Sequence, residues 1–191
     1  MTLPTRTNAI RFLSKVRCSK NVIEHCIAVS NLATAIARTC ERRGVAIDVK
    51  LVEIGSLLHD VGRSVTHDVR HGVIGGALAR ANGFDDRIVR IIETHVGAGI
   101  PEEEAEVIGL PKRDFMPETV EEKIVAYVDK LIKGRKRIEV DEVLEEFSKM
   151  LGASHPALNR FRNLRREISA LTDSDQLGSS DPRKAMERRS P

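Results

Sequence analysis

The chain is poor in aromatic residues, which make up 3% of its 191 residues, with no tryptophan and one tyrosine. A core built from it must rest on Leu, Ile, Val and Ala, which suits helix packed on helix. Cysteine is sparse as well. Cys18, Cys26 and Cys40 are odd in number and show no C-x-x-C spacing. That excludes a disulfide framework or a zinc knuckle and points to reduced thiols in the cytoplasm. No apolar run approaches the ~20 residues that cross a bilayer, and no signal-peptide pattern opens the chain. A membrane is therefore not expected. Nor does one sign of charge dominate: 31 Lys and Arg against 28 Asp and Glu leave a formal charge of +3, too balanced to announce nucleic acid.

What the chain does have is apolar periodicity. At 41% hydrophobic residues it can bury one core, and its length fits one domain with a tail. Ile10, Leu13 and Val16 mark a short helix over 6–17. Ser19 caps a long one over 20–43, closed by Gly44, with Val22, Cys26, Val29, Ala33, Ile36 and Ala37 on its apolar face. A third starts at Asp48 and runs into His59-Asp60, where Gly62 ends it. Further helices are expected from about His71 to Asn82-Gly83 and from Asp85 to His95. A short acidic helix follows Pro101, then one runs from Pro117 to Lys133, and two more cover about 140–151 and 156–172. No strand pattern is evident. The expected fold class is all-α.

Six polar residues interrupt these apolar faces: His25, His59, Asp60, His71, His95 and Asp129. A lone histidine on such a face is usually a satisfied core residue, and a lone aspartate is usually solvated or a cap. Five helices that each deliver His or Asp to the interior are harder to dismiss. A buried carboxylate such as Asp129, set between Val128 and Leu131, needs a partner, and a divalent metal supplies one. Glu93 relates only loosely to His95 and is left out of the set.

The order His25, His59-Asp60, Asp129, with Leu57-Leu-His-Asp-Val-Gly-Arg63 and Val125-Ala-Tyr-Val-Asp-Lys130 around it, resembles the HD superfamily of metal-dependent phosphohydrolases. His71 in His-Gly-Val-Ile-Gly and His95 in Ile-Glu-Thr-His resemble the subset that binds two ions. Bacterial HD hydrolases of diadenosine tetraphosphate and the HD-GYP cyclic-dinucleotide phosphodiesterases are similar in these segments, although the Gly-Tyr-Pro signature of the latter is absent. The resemblance covers roughly residues 20–135. It implies an HD-domain helical bundle over 1–135, a C-terminal helical extension over 136–172 packed on it, and a flexible tail over 173–191.

The resemblance further implies that His25, His59, Asp60 and Asp129 hold one divalent ion and that Asp60 bridges to a second held by His71 and His95. Iron or manganese suits such mixed ligation best, with magnesium, nickel and cobalt as alternatives. Two ions about 3.5–4 Å apart would acidify a bridging water and make hydroxide available to attack a phosphorus centre. The implied activity is hydrolysis of a phosphate ester or anhydride of a nucleotide-like substrate, with Asp60 and Arg63 as catalytic residues. Arg63, His67, Lys130 and Lys133 are candidate substrate contacts, each weighed against a surface role. His155, before Pro156, reads as a helix start.

Two other readings stand beside this one. A non-catalytic HD module for ligand sensing or partner binding would keep the fold without turnover. It predicts a lost metal ligand, and none is lost. A nucleic-acid factor is suggested by Arg160, Arg162, Arg165, Arg166 and the basic residues at 183–189. Interspersed acids and the lack of stacking aromatics argue for a solvated face instead. The expected partner is a small phosphorylated substrate, and the amphipathic helices are compatible with a homodimer.

Overall fold

The computed structural model describes residues 3–172. The expected tail at 173–191 lies outside the described residues. Within them the chain is helical: α1 (Arg6–Lys15), α2 (Lys20–Arg42), α3 (Val49–Leu58), a 3-10 turn (Val61–Ser64), α4 (His71–Ala81), α5 (Asp86–Thr94), α6 (Glu102–Val107) and α7 (Val120–Lys130). A two-stranded ribbon follows, β1 (Ile132–Lys133) and β2 (Lys136–Arg137), and then α8 (Val140–Leu151) and α9 (Pro156–Thr172). Among the described residues no helix is long and apolar enough to cross a membrane.

Local chemistry sets most boundaries. The side chains of Ser19, Asp48 and Thr119 accept hydrogen bonds from the backbone N–H groups of Val22, Leu51 and Glu122, satisfying donors that a helix start leaves open. The last of these differs from the sequence reading. The helix read as 117–133 begins only at Val120, because Thr119 is its cap. It ends at Lys130, where Leu131 N closes back on Val128 O. The residues beyond turn into the ribbon, whose two-residue strands are too short for alternation to reveal.

α3 lies at the centre and packs against α1, α2, α5 and α7. Seven of its ten residues, from Leu51 to Leu58, are buried, so its face is apolar nearly all round, as an interior helix requires. α9 closes the bundle over α2 and α7, with Phe161 stacked on Tyr127 at 5.4 Å. The functional consequence is that α3 delivers its C-terminal end, His59-Asp60, into the interior.

Two glycines bring the flanking elements into register. A Cβ on Gly55 would sit 2.5 Å from Ile91 Cδ1, so α5 rests directly on the α3 backbone. A Cβ on Gly62 would meet His71 O at 2.0 Å and Gly75 N at 2.7 Å. The 3-10 turn after Asp60 therefore lies against the first turn of α4, and this contact places His71. Because the obstruction is backbone, Gly62→Ala must displace α4. We expect it to cost about 3 kcal/mol or more, read as a lower thermal midpoint; an unchanged midpoint would show that α4 is not held there.

Candidate metal centre

Four histidines and two aspartates meet where five helices converge. His25 comes from α2, His59 ends α3 and Asp60 follows it. His71 opens α4, His95 caps the end of α5, and Asp129 lies in the last turn of α7. All except His25 are buried, and the His25 side chain is 15% exposed.

The ring orientations follow from the backbone. The Nδ1 of His59 lies 2.6 Å from Ser56 O, that of His71 2.7 Å from Asp68 O, and that of His95 2.7 Å from Ile92 O. His25 Nδ1 lies 3.2 Å from Gly134 O. A carbonyl only accepts, so each Nδ1 that bonds to one carries a proton and each ring turns its Nε2 inward. Three of these carbonyls lie three residues before their histidine, at a helix end or entry, where carbonyls or ring donors need partners.

The aspartates face these nitrogens. Asp129 Oδ1 is 2.9 Å from His25 Nε2 and 3.3 Å from His59 Nε2. Asp60 lies between two histidine pairs, with one oxygen toward each. Its Oδ1 is 3.2 Å from His71 Nε2 and 3.5 Å from His95 Nε2. Its Oδ2 is 3.8 Å from His59 Nε2 and 3.9 Å from His25 Nε2. His71 Nε2 and His95 Nε2 approach to 3.0 Å. Two lone pairs at that distance repel unless a proton or a cation lies between them.

Electrostatics carry the same demand. Burial alone would raise the Asp60 carboxyl, but His59, His71 and His95 outweigh it and hold it well below the usual range. Asp129 is held down in the same way, against its burial, by Lys130, His59 and His25. Burial pushes His95 down to about 4, with the charges of His59 and His71 acting in the same sense. His59 goes the other way: Cys26, Asp60 and Asp129 overcome its burial and raise it. Two ionised carboxylates thus draw positive charge into a buried site.

The donor set fits a divalent cation. His59 Nε2 and Asp60 Oδ1 are buried and lack hydrogen-bond partners. His25, His59 and Asp129 bring ligand atoms within 4.8 Å of one another, and so do His59, Asp60 and His95. Imidazole nitrogen with carboxylate oxygen suits iron, manganese or zinc better than calcium.

Of the other residues singled out in the sequence, Arg63 and Lys130 reach the cluster. Arg63 Nε lies 2.6 Å from Asp60 Oδ2, and Lys130 Nζ lies 2.5 Å from Asp129 Oδ2. Lys133 and His67 are not brought into it. Lys133 stands on β1, 63% exposed and paired with Glu146. His67 is exposed, and its backbone carbonyl rather than its ring meets Arg63 Nη1, at 3.3 Å. His155 starts α9, its Nδ1 accepting from Ala157 N at 3.2 Å.

Comparison with known proteins identifies the family. The HD domain family model matches residues 22–134. The chain belongs to the HD domain family. An uncharacterized protein of Methanocaldococcus jannaschii is 50% identical over 154 residues, covering 81% of this chain and 91% of that one. A tRNA (cytidine(56)-2'-O)-methyltransferase of Thermoplasma volcanium is 37% identical over 173 residues, 91% of this chain but 49% of the relative. The chain thus spans about half the length of that protein. A ribonuclease Y of Acidothermus cellulolyticus is 37% identical over 78 residues, 40% of this chain and 15% of that one. No solved structure matches.

One support of this HD domain escaped the sequence reading. Glu93, set aside there, has a fully buried carboxylate gripped by two arginines. Arg80 Nη1 and Nη2 reach its oxygens at 2.8 and 3.2 Å, and Arg113 reaches them at 2.9 and 3.0 Å. Arg80 belongs to α4 and Glu93 to α5, so the clamp ties together the helices that carry His71 and His95. The partners are 13 and 20 residues away, beyond any local pattern. Burial would raise the Glu93 carboxyl, and Arg113 and Arg80 reverse this, bringing it below its ordinary 4.5. Its contribution to stability is therefore present above pH 4.5 and lost as pH falls through the lowered value. Removing both arginines should leave burial unopposed and raise this carboxyl instead. We expect the Arg80→Ala, Arg113→Ala double variant to lose most stability near pH 7, with a deficit that narrows on acidification. Urea unfolding across pH reads this, and a deficit independent of pH would contradict it.

Proposed function

We propose that the protein is a metal-dependent phosphohydrolase that cleaves a phosphate ester or anhydride of a nucleotide-like substrate. The observation that carries this reading is the position of Asp60, one oxygen toward His25 and His59 and the other toward His71 and His95. His25, His59, Asp129 and Asp60 would hold one divalent ion, and His71, His95 and Asp60 a second, with iron or manganese favoured by the donor set. When bound, the ions supply Lewis acidity toward phosphoryl oxygens and lower the pKa of a coordinated water.

The chain's own groups do the rest. Each Nδ1–H bonded to a backbone carbonyl holds its ring in one tautomer and one orientation, as metal-ligating histidines need. Arg63, bonded to the Asp60 oxygen that also faces His25 and His59, and Lys130, on the second oxygen of Asp129, are the cations that would meet a phosphate. Both can exchange a carboxylate oxygen for a phosphoryl oxygen. Arg63 is the group best placed to neutralise charge that builds on the phosphoryl oxygens.

That pairing also favours a second reading, a non-catalytic HD module in which Arg63 and Lys130 serve as internal counterions. Elemental analysis and hydrolysis assays decide between the two. The first reading expects about two ions per wild-type chain and turnover of bis(p-nitrophenyl) phosphate or a member of a nucleotide panel. It expects Asp60→Ala to lose metal and to lose activity by at least about a hundredfold. One ion per chain would point to the His25, His59, Asp60 and Asp129 site alone, leaving His71 and His95 as substrate contacts. No turnover by metal-loaded protein across the panel would favour the non-catalytic module.

A further inference from the structure

Immediately after Asp129 the chain leaves the metal centre as a cationic ribbon. From Lys130 to Arg137 it carries Lys130, Lys133, Arg135, Lys136 and Arg137 and no acidic residue. All of these except Lys130 are exposed. Gly134, with φ +63°, makes the tight turn between the strands, and its carbonyl holds His25 Nδ1 at 3.2 Å. The ribbon thus touches a histidine of the centre at its turn and presents its charges outside.

The pairing of the ribbon sets like charges side by side. Lys133 is the direct cross-strand partner of Lys136. Directly opposed residues share a face of the ribbon, and like charges in that relation destabilise it. Ile132 is buried and helps anchor the ribbon to the fold, whereas Lys133 and Lys136 are exposed. Two of the ribbon's cations have exposed partners: Lys133 pairs with Glu146, and Arg135 lies 3.7 Å from Glu24 with its side chain 71% exposed. Exposed, solvent-screened pairs of this kind open at little cost when a better anion arrives.

We infer that this ribbon is an interaction surface for the phosphate backbone of an oligonucleotide strand. On this view the strand's scissile phosphate sits at the metal centre and its neighbouring phosphates lie along Lys133 and Lys136. The inference rests on the phosphohydrolase reading and narrows its substrate class. A mononucleotide would use Arg63 and Lys130 and would leave the outer row of charge without a purpose, whereas a strand carries phosphates beyond the reacting one. The near-neutral total charge conceals this surface, because its cations are concentrated in one short segment.

The test measures binding of a fluorescein-labelled, phosphorothioate-linked oligouridine of about twelve nucleotides to the metal-loaded full-length chain by anisotropy, across a salt series. Hydrolysis of bis(p-nitrophenyl) phosphate is measured alongside. In the Lys133→Ala, Lys136→Ala double variant, checked for fold by circular dichroism, two lost phosphate contacts should flatten the slope of log K against log salt by about 1.4 and weaken binding about tenfold. Unchanged affinity and slope in that variant would overturn the inference. So would wild-type protein that hydrolyses the small ester yet does not bind the oligonucleotide, or that binds anionic vesicles instead. Wild-type binding that the variant loses, in a protein that does not hydrolyse the small ester, would support the surface and count against the phosphohydrolase reading alone.

Discussion

Two ionised carboxylates in a buried site are the constraint on which the rest of this structure depends. Removing charge from water is costly unless it is compensated, and Asp60 and Asp129 sit among apolar helices. Their compensation is local and specific: Arg63 on Asp60 Oδ2, Lys130 on Asp129 Oδ2, and inward imidazole nitrogens around both carboxylates. The contacts leave a demand for cationic charge that hydrogen bonding does not meet, since His59 Nε2 and Asp60 Oδ1 remain unpartnered. That unmet demand is the physical basis for proposing that the cluster holds a divalent metal.

Helix ends provide the precision. His59 and His95 cap the C-terminal ends of α3 and α5, and His71 opens α4. At these places backbone carbonyls are available, and a ring that donates to one of them has its tautomer fixed. Ser56, Asp68, Ile92 and Gly134 therefore act through their backbones, independently of their side chains. Around them the close approach at Gly62 and the Glu93 clamp hold α4 to the 3-10 turn and to α5. A ligand set collected from five helices needs such supports, because a shift of about 1 Å in any one of them disturbs a metal geometry.

Membership of the HD domain family agrees with the all-α bundle. It leaves the substrate to be argued from the surface around that centre, because a fold hosts many functions and the site selects among them. The exposed lysine pair beside the centre bears on that choice more directly than net charge does.

The sequence by itself determined the helices and the candidate ligands. Ser19, Asp48 and Asp85 marked helix starts because capping is a local event. His25, His59, Asp60, His71, His95 and Asp129 stood out because a polar residue on an apolar face conflicts with its neighbours. Only the tertiary structure decided which oxygen of Asp60 faces which histidines, that Lys133 leaves the helix for a ribbon, and that Glu93 belongs to Arg80 and Arg113. Those facts are contacts between residues far apart in the chain or made through backbone carbonyls. A pattern of side-chain types records neither, since it carries periodicity but not the packing that brings distant segments together.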